Sequence, residues 1–332
     1  MKKRPTLEDV AKKAGVTAAT VSLAINNNPR IPEDTREMIK KAAKALNYVP
    51  NAAARSLAAG KSDSIAIAAI SFSAWYEMAL MRGIESVIHD SSYSMVQYST
   101  WGSREKEREL LKTLMLSQKA AGLIGFSFVP GLKKLAEMKK RKFPFVSVGE
   151  KAPGFCSVVF NDFRGAFMAA ERLARAGRKN IAIINQRMIR GYTARDVREK
   201  LRGFNAAIDK YGLKRMQPVE VENVYFSDGI KACDRISAIK GIDAVFCAAG
   251  DNTAAGFIKR ARELKISVPD DIAVIGYDDA DIASVLSPEL TTVRQPVEAA
   301  GKAAVEAMLK LLAGGAAENR VFEPELVVRE SA

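Results

Sequence analysis

From Ser64 onward the chain alternates short apolar runs with amphipathic stretches, and this alternation constrains its fold more than any other feature. The runs SIAIAAI, YSMVQYS, AAGLIGFSF and FPFVSVG are separated by helical patterns near residues 75–90, 105–118 and 131–142. A second series follows: SVVFND, NIAIIN, VENVYF, AVFCAAG and IAVIGYDD, with helices predicted at 163–176, 196–211, 228–239 and 252–265. TTVRQP, a helix at 296–313 and VFEPELVVRE close the chain. Apolar strands joined by helices demand a parallel sheet covered on both faces. Two such series predict two doubly wound lobes with a cleft between them. Ligand groups in such sheets sit at the carboxyl ends of the strands.

Residues 1–61 have a different texture. Thr6-Leu7-Glu8-Asp9 has the form of a capping box, and Gly15 suits the left-handed residue just past a helix end. Thr17 is placed to cap a second helix, AATVSLAIN, with Val21, Ala24 and Ile25 on one face. Asn26 to Pro29 end it. A third helix is predicted from Pro32 through EDTREMIKKAAKALN, with Met38, Ile39, Ala42 and Leu46 inward. Helix, glycine turn, helix, loop, helix is the helix-turn-helix arrangement that reads DNA. Pro50 to Lys61 is Ala-rich and too short to be a stable helix alone; it reads as a hinge helix ordered only when held, or as a plain linker.

Charge agrees with that division. Residues 1–61 hold twelve Lys or Arg against five acids, a net +7 of the chain's +13. Basic density on a helix-turn-helix suits a polyanion. Cys156, Cys233 and Cys247 are far apart and form no CxxC pair, so they read as buried small apolar residues, not as a disulfide or zinc set. The single histidine, His89, falls late in a helix and leaves no material for a His-rich metal site or triad. No cofactor or metal is expected. No apolar window is long enough for a membrane span, and MKKRPTLEDV lacks a signal peptide's apolar core, so a cytoplasmic location is expected. No GxGxxG follows a strand and no Walker A loop is present, which argues against an enzyme. A solute-binding protein fits residues 62–332 but not the N-terminal reader.

Taken in order, TLEDVAKKAGVTAATVSLAINNNPRIPEDTREMIKKAAKALNYVPNAAARSL, MRGIESV, VVFNDFRGAFMAAERLARAGRKNIAIIN, LRGFNAAIDKYGL, SVPDDIAVIGYDD and SPELTTVRQPVEAAGKAA resemble the lactose-repressor/galactose-repressor (LacI/GalR) family over essentially the whole chain. The resemblance implies an all-α helix-turn-helix domain (1–49), a hinge (50–61) and an α/β periplasmic-binding-protein-like sensor (62–332) with two doubly wound parallel-sheet lobes. Its N-lobe is expected at about 62–160 plus 291–320, and its C-lobe at about 161–290 plus 321–332. It further implies a homodimeric repressor on a roughly palindromic double-stranded DNA operator, controlled by a small-molecule effector, a sugar or sugar derivative. A regulator that ignores ligands remains an alternative. The chain stops at Ala332 without a heptad tail, which favours a dimer over a tetramer.

The family pattern assigns residues as well. In the reader, Thr6, Thr17, Thr20, Ser22, Asn26 and Arg30 are expected to meet the DNA backbone. Ala18, Ala19 and Leu23 stand at the base-reading positions, where many relatives carry arginine in place of Leu23. None of the three has a side-chain hydrogen-bonding group, so apolar contact with thymine methyls is expected, with further specificity from DNA shape. In the hinge, Leu57 matches a minor-groove wedge, with Asn51, Ala54 and Arg55 beside it. In the sensor, the effector set is Phe72, Trp75, Tyr76, Phe126, Arg198, Lys200, Asp251 and Asp278. Lys200 stands where the family has a pocket arginine, Gly250-Asp251 replaces an Asn-Asp pair, and Asn161-Asp162 reverses the commoner order.

Overall fold

The helices of the first unit form where the cap chemistry places them. The computed structural model describes residues 5–25, 27–48, 62–117, 119–187 and 194–332. They divide into two units, Met1–Ser62 and Asp63–Ala332. In the first, α1 (Leu7–Ala14), α2 (Ala18–Ile25) and α3 (Glu33–Ala45) make the reader. Thr6 Oγ1 accepts the Asp9 amide at 3.3 Å and the Asp9 carboxylate accepts the Thr6 amide at 2.8 Å, closing the capping box. Gly15 takes φ +64° and donates its N–H to the Ala11 carbonyl. Thr17 Oγ1 accepts the Thr20 amide at 3.2 Å at the start of α2.

One residue from each helix, Val10, Val21 and Ile39, is fully buried in a common core with Ala24. Each buried branched side chain contributes about 2 kcal/mol. Met38 is not in this core, as its inward assignment required; it is 43% exposed. One residue is about 100° of helix rotation, so with Ile39 inward Met38 points out.

In the second unit, β1 (Ser64–Ala69), β2 (Ser94–Ser99), β3 (Gly122–Phe126), β4 (Phe145–Val148), β5 (Cys156–Phe160) and β11 (Arg320–Phe322) build one sheet, ordered β11-β5-β4-β3-β1-β2 and parallel throughout. β6 (Ile181–Gln186), β7 (Val219–Val221), β8 (Ala244–Cys247), β9 (Ala273–Asp278), β10 (Thr291–Arg294) and β12 (Glu325–Val327) build the other, ordered β12-β10-β9-β8-β6-β7. β12 is antiparallel to β10 and the other pairings are parallel. Each sheet carries buried apolar clusters on both faces. The first is covered by α4 (Trp75–Ile88), α5 (Arg104–Leu116), α6 (Leu132–Lys140) and α11 (Val297–Leu312). The second is covered by α7 (Asp162–Arg175), α8 (Arg195–Lys210), α9 (Phe226–Ser237) and α10 (Asp251–Glu263).

The chain therefore crosses between lobes three times, after β5, after β10 and between β11 and β12. Two expected boundaries move. Thr291–Arg294 pairs with β9 and belongs to the second sheet, so the returning N-lobe segment starts beyond Gln295 and runs to Phe322. The VENVYF strand is displaced to Val219–Val221, and Phe226 opens α9 instead. Val-Tyr-Phe has strand composition, but the segment packs as a helix against α10, with Gly229 close against the Thr253 backbone.

Gly203 shows how tightly the helices meet. A Cβ there would lie 2.0 Å from the carbonyl oxygen of Phe163 on α7. Gly203→Ala would add helix propensity, about 1 kcal/mol. Overpacking against backbone outweighs it, and a net loss of about 2–3 kcal/mol is expected in urea unfolding. An unchanged midpoint would show that α7 and α8 separate at no cost.

Candidate functional site

The carboxyl ends of both sheets face one cleft of about 400 Å³. The first lobe supplies Trp75, Tyr76 and Glu77 from the first turn of α4, then Trp101 after β2, Ser127 after β3 and Glu150 after β4. The second supplies Asn185 on β6, Asp196, Val197 and Lys200 on α8, Tyr225 after β7, Gly250 and Asp251 after β8, and Asp278 at the end of β9. Both sets obey the strand-end rule for doubly wound sheets.

Of the residues expected there, Trp75, Tyr76, Lys200, Asp251 and Asp278 line the cleft. Phe72, Phe126 and Arg198 do not. Ser71 and Ser73 face the cleft, and Phe72 between them turns the other way, into a shallow hollow beside Met78 and Met81. There its ring meets Phe126 edge-on at 6.1 Å. Phe126 is a core residue, 1% exposed. Arg198 is exposed on α8; two residues turn the helix about 200°, so with Lys200 inward Arg198 points away.

The polar groups divide into engaged and unengaged. Asp251 reaches the wall with both oxygens occupied, one by the Thr292 hydroxyl at 2.6 Å and one by the Ala280 amide at 2.7 Å. Burial and then the neighbouring Asp278 hold its pKa well above the ordinary value. Lys200 donates to the Ala248 carbonyl at 3.1 Å, lies 4.1 Å over the Tyr277 ring and sits 3.8 Å from Asp196. Asp279 is bound by Arg294 at 2.6 Å and Arg329 at 2.7 Å, a structural duty. Its neighbour Asp278 takes φ +102°, a region that L residues rarely occupy. Among the described residues nothing donates to its carboxylate. Burial raises its pKa, and nearby Lys200 pulls the other way. Glu77 is half free: its carboxylate accepts from the backbone amides of Ala74 and Glu77 at the start of α4, but its Oε2 is buried without a partner, and burial pushes its pKa to about 7. The Trp75 indole N–H is likewise buried and unpartnered. Unpaired acceptors beside aromatic faces suit a ligand rich in hydroxyl donors.

On the cleft wall, Asp162 ties the crossovers together. It follows β5, and its Oδ1 accepts Gln295 Nε2 at 2.9 Å, from the segment after β10, and the Tyr277 hydroxyl at 3.2 Å. Its Oδ2 accepts Arg195 Nη1 at 3.1 Å. Burial raises its pKa to about 6. The Asn161 amide donates to Glu323 between β11 and β12, at 3.0 and 2.9 Å. Glu150 of the first lobe accepts the Arg195 amide of the second at 2.6 Å.

On the reader, Thr6, Thr17, Ala19, Leu23 and Arg30 are exposed and Ala18, Thr20 and Ser22 partly so. Leu23 is 39% exposed, so it is not consumed by helix packing. Asn26, Asn51, Ala54, Arg55 and Leu57 lie outside the described residues.

Sequence reasoning missed Glu77, Trp101, Glu150, Asp196 and Tyr225. Asp196 had a legible signal, four residues before Lys200 and so on the same helix face. Trp101 and Tyr225 each follow a strand end. Among the described residues no cluster of three potential metal ligands occurs, and no helix is long and apolar enough to cross a membrane.

A helix-turn-helix unit and a two-lobed sensor with a strand-end cleft define a class: DNA-binding regulators with a ligand-binding domain. Residues 6–51 match the family "Bacterial regulatory proteins, lacI family" and residues 170–332 match the periplasmic binding protein-like domain. The chain is 31% identical over 334 residues to the HTH-type transcriptional repressor PurR of Vibrio campbellii, covering 98% of each chain. It superposes on the lac repressor dimer bound to operator and the anti-inducer ONPF with TM-score 0.82, 26% identity and 99% coverage of both chains. The transcriptional regulator CelR–cellobiose complex gives TM-score 0.71 at 26% identity, covering 99% of this chain and 100% of that one. The protein belongs to the LacI family.

Proposed function

We propose that this protein is a cytoplasmic homodimeric repressor that binds a roughly palindromic operator and is switched by a neutral, hydroxyl-rich effector, a sugar or sugar derivative. The observation that carries the effector class is a pair of carboxylates with free acceptor capacity, Asp278 and the Oε2 of Glu77, beside Trp75 and Tyr76 in the interlobe cleft. Sugar hydroxyls donate to carboxylates, and sugar faces stack on aromatic rings. The carboxylates repel a phosphate or carboxylate ligand. CelR with cellobiose is a relative whose bound ligand has this chemistry. The hydrogen bonds joining the crossovers, centred on Asp162, give lobe closure a route into the whole sensor.

The test is fluorescence anisotropy with DNA from upstream of the protein's own gene, at physiological salt with excess non-specific competitor. Retained nanomolar-range binding to one fragment, altered by a sugar, supports both parts. Binding abolished by competitor would leave only charge attraction. Binding indifferent to every sugar would favour a ligand-insensitive regulator. Within the operator, Leu23→Ala is expected to weaken specific binding by about 1 kcal/mol and to spare non-specific binding. Strong guanine protection in each major-groove half-site would count against apolar readout.

A further inference from the structure

The cleft has an outer end that the effector contacts proposed above do not use. β2 and β7 are equivalent outer strands, each at the sheet edge opposite the strands through which the chain crosses between lobes. Their carboxyl ends therefore lie farthest from the crossovers, where a hinge motion about those crossovers moves the lobes most. Trp101 follows β2 and Tyr225 follows β7, and both line the cleft. They are 68% and 53% exposed, an unusual cost for two aromatic rings. Trp101 is held there. Its φ is +53°, a strained value for a bulky L residue, and its amide donates to the Ile70 carbonyl at 2.9 Å. The preceding Thr100 is 1% exposed and donates both its amide and its hydroxyl to Ala69, at 2.9 and 3.2 Å. Among the described residues, neither Trp101 nor Tyr225 packs on another aromatic ring.

We infer that Trp101 and Tyr225 form an outer subsite that grips the second ring of a glycoside, a sugar bearing a ring aglycone or a second sugar. The inner sugar is held by Glu77 and Asp278, so this inference rests on the effector class proposed above. Lobe closure brings one ring from each side against the outer ring of the ligand. Stacking on a flat or pyranose face then adds affinity that a one-ring sugar lacks.

The full-length protein is titrated calorimetrically with matched probes: glucose against cellobiose and phenyl β-glucoside, and ribose against adenosine. At least one two-ring probe is expected to bind about tenfold tighter than its one-ring parent. Trp101→Ala and Tyr225→Ala should each remove about five- to tenfold of that affinity and change the parent by no more than about twofold. Both side chains are exposed, so both variants should keep the parent's unfolding midpoint. Trp75 and Trp101 are the chain's two tryptophans and Trp75 lies by the inner sugar, so in Trp101→Ala the two-ring probe should change the emission no more than its one-ring parent does. Equal affinity for parent and glycoside, or equal loss of both in the variants, overturns the outer subsite and leaves the sugar reading standing. Binding of no probe in either series overturns the sugar reading, and the outer subsite with it.

Discussion

Asp162→Ala is expected to destabilise the sensor by about 4 kcal/mol near pH 4 and by only about 1 kcal/mol near pH 8. Three donors converge on this carboxyl, from Arg195, Tyr277 and Gln295, and alanine leaves all three without their acceptor. Buried unsatisfied donors are costly. The pH dependence comes from the group's own ionisation. Burial lifts its pKa from 3.8 to about 6, so the folded state holds the proton more tightly than the unfolded chain does. Its contribution is fully present below about pH 4 and is lost as pH rises through 6. The wild type gives up that stability on its own, and the variant has none to give. Urea unfolding of both proteins across pH 4 to 8 reads the difference directly. A deficit of constant size would mean that Asp162 is ionised throughout and acts as an ordinary ion-pair partner. Because the same carboxyl joins the first two crossovers, the variant should also lose the effect of sugar on operator binding.

Glu77→Gln is expected to stabilise the protein by about 2 kcal/mol at pH 8 and to leave it nearly unchanged at pH 4. Its Oε2 is buried with no partner, and burial raises its pKa from 4.5 to about 7. The folded-state value is again the higher one. Glu77 therefore supports the fold below about pH 4.5, and that support is lost as pH rises through 7. Glutamine does not ionise and escapes the penalty. The same change should cost the effector about tenfold or more in affinity, because an ionised acceptor is replaced by a weaker neutral one. Stability gained with binding lost is the signature of strain kept for function. A variant that is no more stable at pH 8 would mean that water already satisfies Glu77. A more stable variant that binds as before would remove Glu77 from the effector site.

Much of this molecule is legible without coordinates. The capping box at Thr6 and Asp9 and the turn at Gly15 depend on bonds within a few residues, and both occur as read. The alternation after Ser64 gives two mainly parallel sheets, because apolar strands joined by helices have few other ways to bury both faces. Reading fails where the deciding neighbour is remote. Thr291–Arg294 looks like any edge strand, and only pairing with β9 assigns it to the second lobe. Of the aromatic run after β1, Trp75 and Tyr76 reach the cleft from the first turn of α4 and Phe72 in the preceding loop does not, because backbone path, not residue type, sets where each side chain points.

The sequence by itself determined the reader, the two-lobed sensor and the strand-end location of the cleft. Each follows from local periodicity, cap chemistry and the burial demands of βα units. Only the tertiary structure decided which carboxylates are available to a ligand. Asp251 is engaged by Ala280 and Thr292, 29 and 41 residues away, and Asp162 by Gln295, 133 residues away. Among the described residues Asp278 meets no donor and Glu77 only amides of its own helix start, although all four are plain acids in the sequence. Desolvation and hydrogen-bond satisfaction are set by what distant chain packs around a group, and no local pattern carries that information.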